Sequence, residues 1–323
     1  MSDVILKVEN LQTSFFTRAG EFKAVGGVSF EIHEGETFGL VGESACGKTV
    51  TGLSLLRLLP EPAGQIVGGK IILDGINILE LHKEEMRNIR GKKISMILQD
   101  PMTSLNPVYT IGDQIAEPIR QHQGIQDRNE LVDEVISALR FLQIPAPEQR
   151  IHDYPFQMSG GMRQRVVGSI AMSCRPRLLI ADEPTTALDA TIQAQYLALF
   201  KSIQEQTDIG ILFITHDFGV VADMCHRVAV MYAGKILETA STSTIFKAPL
   251  HPYTVALINS VPRLDQKVDR LYSIEGQPPS LLNLPPGCRF APRCPDVMDI
   301  CHEQQPKEVQ VDDGHSVSCW KVS

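Results

Sequence analysis

The chain has 323 residues, 43% of them hydrophobic and 21% charged, the balance of a globular protein with room for about two domains and a full core. Thirty lysines and arginines face 38 aspartates and glutamates, a formal charge of −8, and no basic run exceeds two residues, so charge gives a nucleic-acid role no support. The longest apolar stretches, such as Ile209 to Ile214, fall far short of the roughly 18 residues that cross a bilayer.

The N-terminus, MSDVILKVEN, alternates apolar and polar residues and carries acid at Asp3 and Glu9, unlike a secretory signal, and predicts a cytosolic chain. Thr37 to Val41 reads as an apolar strand, followed by a helical pattern over Gly52 to Leu59. Further short strand-like runs are Ile71 to Leu73, Ile94 to Leu98, Leu178 to Ala181, Ile211 to Thr215 and Val228 to Tyr232. Their alternation with helical patterns predicts an α/β sheet protein. Between about residues 101 and 175 the pattern changes: Leu131, Val135, Ala138, Leu139 and Leu142 recur at helical spacing without strong strand runs, which predicts a helical subdomain inserted into the sheet domain. Ten of the twenty prolines lie between Pro249 and Pro306, so a boundary is expected near residue 250.

The strand Thr37 to Val41 runs into Gly42-Glu43-Ser44-Ala45-Cys46-Gly47-Lys48-Thr49 and then into a helix, the strand, loop and helix context of a P-loop. The glycines permit tight turning, and successive backbone N–H groups with a helix N-terminus can surround a polyphosphate. Lys48 supplies a point charge for the β- and γ-phosphates, and the Thr49 hydroxyl a ligand for Mg²⁺. A glycine turn with a chance Gly-Lys-Thr is the plainer alternative. Cys46 reads as packing, with redox chemistry as the alternative that a helix N-terminus would favour.

Leu178 to Ala181 ends in Asp182-Glu183-Pro184, and alternation sends the two carboxylates to different sides. Asp182 suits Mg²⁺, and Glu183 suits orientation and polarisation of an attacking water. In isolation the same residues read as an acidic turn before proline. Ser159-Gly160-Gly161-Met162 stands directly ahead of a helical run and offers free N–H donors and a positive dipole end, although a plain N-cap has the same form.

With Met158-Ser159-Gly160-Gly161-Met162 in place, the sequence resembles the ATP-binding-cassette (ABC) ATPases, whose signature begins Leu-Ser-Gly-Gly-Gln. Met158 and Met162 depart from the commonest form. The resemblance implies a P-loop NTPase fold of ABC ATPase type over residues 1–250, with the helical subdomain at about 101–175. It implies that Gln99 is the Q-loop glutamine, contacting Mg²⁺ or the lytic water, and that Asp189 of Ala187-Leu188-Asp189 is the D-loop aspartate. His216 matches the switch histidine at the γ-phosphate, and Phe15, with Phe16 as its neighbour, the aromatic that stacks on adenine. Ala45 stands where the family often has glycine. The resemblance further implies that the signature of one subunit completes the nucleotide site of another, so two cassettes must face each other.

Beyond residue 250, Leu250-His251-Pro252-Tyr253-Thr254 precedes four of the seven cysteines: Cys288, Cys294, Cys301 and Cys319. In a reducing compartment four clustered thiols suggest a metal centre, and their spacing leaves iron–sulfur and tetrahedral zinc both open. This segment, residues 251–323, resembles the extension of oligopeptide and dipeptide permease ATP-binding subunits, some of which bind a [4Fe–4S] cluster through four such cysteines. The resemblance implies an ATPase at the cytoplasmic face of the inner or plasma membrane that powers import of short peptides. It would work with a distinct second ATPase subunit, two transmembrane permeases and an extracytoplasmic peptide-binding protein, and with no nucleic acid. Import of nickel or another small solute, and a soluble ribosome-associated ATPase, are the alternatives.

Overall fold

The structure, a computed structural model, describes residues 3–186, 188–261 and 272–322; Ala187 lies outside them. In chain order it forms β1 (Val4–Thr17), β2 (Gly20–His33), β3 (Thr37–Val41), α1 (Lys48–Leu55), β4 (Gly64–Leu73), β5 (Ile76–Asn77), α2 (Lys83–Ile89) and β6 (Ile94–Ile97). Helices α3 (Pro101–Ser104), α4 (Ile111–Gln123), α5 (Arg128–Phe141), α6 (Pro147–Arg150) and α7 (Gly160–Met172) follow, then β7 (Leu178–Asp182), α8 (Ala190–Thr207), β8 (Gly210–Thr215), α9 (Phe218–Met224), β9 (Arg227–Tyr232), β10 (Lys235–Ser241), α10 (Thr242–Lys247) and α11 (Pro252–Ser260). The extension adds α12 (Asp299–Glu303), β11 (Val309–Asp312) and β12 (His315–Val317). The chain divides into two compact units, the first holding residues 1–5, 33–36 and 80–212 and the second 6–32, 37–79 and 213–323.

In the first unit β6 and β7 pair in parallel, Ile94 opposite Leu178 through Ile97 opposite Ala181. Such a pairing needs a long crossover, and the chain supplies α3 to α7 between the two strands. Both faces of β7 are covered, so its sequence is a continuous apolar run and not an alternating one. The helices start where polar side chains take up their free N–H groups: Thr110 accepts from Asp113 N–H at 3.1 Å, and Asp127 from Asn129 and Glu130 at 2.9 Å each. Leu131, Val135, Leu139 and Leu142 are buried, whereas Ala138 is half-buried.

The second unit contains two sheets. One has the order β2-β1-β4-β5, and its long strands β1 and β2 were legible in the sequence only as the alternation at the N-terminus. In the other, β3 runs parallel to β9, β10 is antiparallel to β9, and the extension continues the sheet through β12 and β11. The extension thereby covers the edge that β10 would otherwise expose. Helix α1 ends at Leu55, earlier than the pattern to Leu59 suggests. The helix α11 start is fixed by a buried carboxylate: Glu238 on β10 accepts from the N–H groups of Leu250 and His251 at 2.8 and 3.0 Å, and meets His315 Nε2 at 2.9 Å.

Candidate functional site

In the second unit, every residue of β3 is buried, which fixes the strand that delivers the loop Gly42 to Thr49. Gly42 and Gly47 have φ of +154° and +109°, and a Cβ on either would run into a main-chain oxygen, of Met231 and Ala24 respectively. Ala45 occupies the left-handed region at φ +62°, so the residue standing where the resembled family often has glycine does adopt a conformation that favours glycine. Ser44, Ala45 and Thr49 are exposed at the loop, while Lys48 is buried. Its Nζ donates to the carbonyls of Gly42 and Glu43 at 2.7 and 3.0 Å, which keeps the ammonium inside the curve of the loop. Cys46 is buried too, and burial pushes its thiol pKa up against the pull of Lys48; packing is the role this fits, since an inert thiol is the protonated one.

Glu43 points to the extension. Its carboxylate is gripped by Arg293, Nη1 to Oε2 at 2.7 Å and Nη2 to Oε1 at 3.0 Å, and its N–H donates to the Tyr253 hydroxyl at 2.9 Å. Neither Arg293 nor a Tyr253 contact to the loop was signalled by any sequence pattern. Thr13 on β1 shares a buried hydrogen bond of 2.9 Å with Ser54 of α1, so strand alternation puts Phe15 on the α1 side and Phe16 on the other, where it is 46% exposed. Phe15 is half-buried beside Gly64. His216 is exposed where the buried strand β8 ends, and the next residue, Asp217, caps α9 by accepting from Gly219 N–H at 2.7 Å.

In the first unit, Asp182 ends β7 at 1% exposure and Glu183 follows with φ +45°. That left-handed turn swings the second carboxylate off the strand line. Gln99 Nε2 donates to Glu183 Oε2 at 2.7 Å, and Thr186 Oγ1 donates to the same oxygen at 3.1 Å. Gln99 and Glu183 are thus brought together directly, and Thr186 is a partner that sequence reasoning missed, although it follows Pro184 within the same turn. Ser159 caps α7, accepting from Met162 N–H at 3.4 Å; Asp189 caps α8, accepting from Thr191 and Ile192 N–H at 3.1 and 3.0 Å. The two helix starts line one cavity of about 650 Å³ with Gln143, Arg165 and Leu188, so Ser159, Gly160, Gly161, Met162 and Asp189 share a site. Gly161 is required there, because a Cβ would sit 2.8 Å from Ile192 Cγ2 on α8.

The extension gathers its cysteines without packing them around a point. Cys288 N–H donates to the Cys301 carbonyl at 2.7 Å, Cys288 and Cys301 are buried, and Cys294 and Cys319 are half-buried. Burial raises the Cys288 thiol and pushes Cys294 up to about 11, and mutual charge among the thiols adds to both: Cys301 and Cys319 act on Cys288, Cys288 and Cys319 on Cys294. Among the described residues, however, no three His, Cys, Asp or Glu side chains come close enough to hold one metal ion. The sequence expectation of a metal centre at these four cysteines thus finds no support among the described residues.

Comparison with known proteins bears on both segments. Residues 25–186 match the ABC transporter family, and residues 237–301 match the oligopeptide/dipeptide transporter C-terminal region. The dipeptide transport ATP-binding protein DppD of Bacillus subtilis is 50% identical over 316 residues, covering 98% of this chain and 94% of that protein. A probable peptide ABC transporter ATP-binding protein, y4tR, of Sinorhizobium fredii is 49% identical over 321 residues, covering 99% and 96%. Among solved structures, a dimeric post-hydrolysis state of the ATP-binding cassette MJ0796 bound to ADP and phosphate matches with a TM-score of 0.65 and 24% identity, over 73% of this chain and 98% of that one. That likeness shows the cassette fold. The identity of about half over nearly the whole chain shows more: the chain belongs to the ABC transporter family, among the ATP-binding subunits that carry the oligopeptide/dipeptide transporter C-terminal region.

Proposed function

We propose that this chain is the ATP-hydrolysing subunit of an importer for dipeptides or oligopeptides, acting through separate membrane permeases. The observation that carries the reading is near-full-length identity of about half with DppD, a dipeptide transport ATP-binding protein, extension included. Among the described residues no helix is long and apolar enough to cross a membrane, which agrees with a pathway supplied by other chains. The expected site is the cytoplasmic membrane face.

The loop N–H groups and Lys48 bind the phosphates, and Phe15 stacks on adenine, favoured over Phe16 because it shares the face that packs on α1. The oxygen donors Thr49 and buried Asp182 suit Mg²⁺, a hard cation that would offset phosphate charge. Glu183 accepts the proton of the attacking water. Gln99 and Thr186 both donate to one oxygen of that carboxylate and fix its direction, so it meets the water in one orientation. His216 contacts the γ-phosphate. The cavity at Ser159 and Asp189 presents two helix N-termini to an anion and receives the nucleotide held by a second cassette, in our reading a distinct paralogue.

For the extension we favour a [4Fe–4S] cluster over zinc. The support is the resemblance to permease ATP-binding subunits, some of which bind such a cluster through four cysteines, together with the lack of the short Cys-x-x-Cys pairs typical of structural zinc. Cys288, Cys294, Cys301 and Cys319 would hold it, and its contribution would be a staple for a proline-rich segment.

Affinity purification of the tagged chain from detergent-solubilised native membranes, followed by mass spectrometry, tests the reading. Two permeases, a second cassette and a peptide-binding protein are the expected companions. Ribosomal partners without any permease would overturn it.

A further inference from the structure

We infer that the extension is a working part of the nucleotide site: Arg293 and Tyr253 are positioning residues that clamp the phosphate loop through Glu43. The inference rests on the ATP reading above and goes beyond it by assigning the loop's geometry to residues from the far end of the chain.

Glu43 is the second residue of the loop, directly after Gly42. It is held at its side chain and at its backbone. Arg293 grips both carboxylate oxygens, a two-pronged contact that fixes orientation as well as distance. The guanidinium is itself fixed on its remaining sides: Nε donates to the Glu275 carbonyl at 3.0 Å, Nη2 to the Ile274 carbonyl at 3.3 Å and Nη1 to the Tyr232 hydroxyl at 3.3 Å. The Arg293 side chain is 4% exposed, so water competes weakly for this pair. At the backbone, the Tyr253 hydroxyl accepts the Glu43 N–H. Tyr253 has no freedom to follow a moving loop, being fully buried among Tyr232 and Phe290, with ring centroids 4.6 and 5.2 Å away.

The same Glu43 offers its carbonyl to Lys48 Nζ. Arg293, Tyr253, Glu43 and Lys48 therefore form one connected chain of contacts, from the cysteine segment to the ammonium that meets the phosphates. Arg293 stands between Cys288 and Cys294, so whatever orders that segment sets the clamp. A loop free of it would sample geometries in which its N–H groups diverge, and only a fraction of molecules would be ready to bind.

The test is a double-mutant cycle on the full chain, with binding of a fluorescent ATP analogue and Mg²⁺ as readout. Glu43→Gln and Arg293→Met should each weaken binding about tenfold, and the double variant should be no weaker than either, because the two changes remove one contact. Tyr253→Phe, which removes only the hydroxyl, should weaken it too. Where Arg293→Met fails to fold, Arg293→Lys keeps the charge, loses the two-pronged grip and should fall between. Hydrogen exchange at amides 43–47 of the nucleotide-free chain should speed up in every variant. Binding within twofold of the unaltered chain, or losses that multiply in the double variant, would overturn the clamp. No saturable binding by the unaltered chain would overturn the ATP reading, and amide exchange would then decide the clamp by itself.

Discussion

His251 is the position where acid should act on the extension. The ring is 1% exposed, its Nδ1 accepts the Tyr253 N–H at 3.0 Å, and its Nε2 has no hydrogen-bond partner among the described atoms. Burial pushes its pKa down to about 3. In the unfolded chain the imidazole titrates near its ordinary value of about 6.5. Above that pH both states are neutral and the group contributes no slope. Below it the unfolded state takes up a proton that the folded state refuses, so stability falls progressively as pH drops from about 6.5 towards 3. At pH 5 the loss is about 1.5 pH units at about 1.4 kcal/mol each, or roughly 2 kcal/mol. His251→Asn keeps an N-cap acceptor for Tyr253 N–H and removes the titration. Urea unfolding can be followed by fluorescence of Trp320, the sole tryptophan, whose indole N–H donates to the Gln304 carbonyl within the extension. The unaltered chain should lose about 2 kcal/mol more than His251→Asn between pH 7 and pH 5, other groups cancelling in the difference. Equal losses would refute the assignment of this slope to His251.

Glu183→Gln should leave ATP binding intact and lower turnover of the assembled transporter by about 10²- to 10⁴-fold, the usual worth of a general base; near-normal hydrolysis would remove Glu183 from that role. Ala45→Gly should stabilise the chain by up to about 1 kcal/mol in thermal unfolding, since it relieves a left-handed alanine at φ +62° and gives back part of the gain as unfolded-chain entropy. Protein prepared without oxygen should contain iron and acid-labile sulfide at about four each per chain, and values near zero would exclude the cluster.

What could be read from the sequence was what the chain writes locally. The loop from Gly42 to Thr49 and the run from Leu178 to Glu183 are contiguous, and their chemistry follows from residue type and order. The long pair β1 and β2 was harder to see, because Phe15-Phe16 and the Gly26-Gly27 pair interrupt the alternation that marks a half-buried strand. The cysteines were visible as a group, but spacing carries no distance, and among the described residues no three metal-ligating side chains come together to hold an ion. The contact of Gln99 with Glu183 spans 84 residues, and that of Arg293 with Glu43 spans 250; no periodicity encodes either.

That last separation changes how the boundary near residue 250 should be understood. Composition marks it as a change in texture, since the prolines grow denser there and four of the seven cysteines follow. Texture does not measure dependence. The stretch beyond it supplies β11 and β12 to the edge of the sheet that contains β3, fills the space around Tyr232 with Tyr253 and Phe290, and delivers Arg293 to Glu43. A chain cut after Leu250 would expose the β10 edge and leave Glu238 without the His251 N–H and the His315 imidazole that it binds while buried. Stripping partners from a buried carboxylate costs up to several kcal/mol, more than most single contacts contribute. The motifs of ATP chemistry would all survive such a cut, and the loop that carries them would have lost its support.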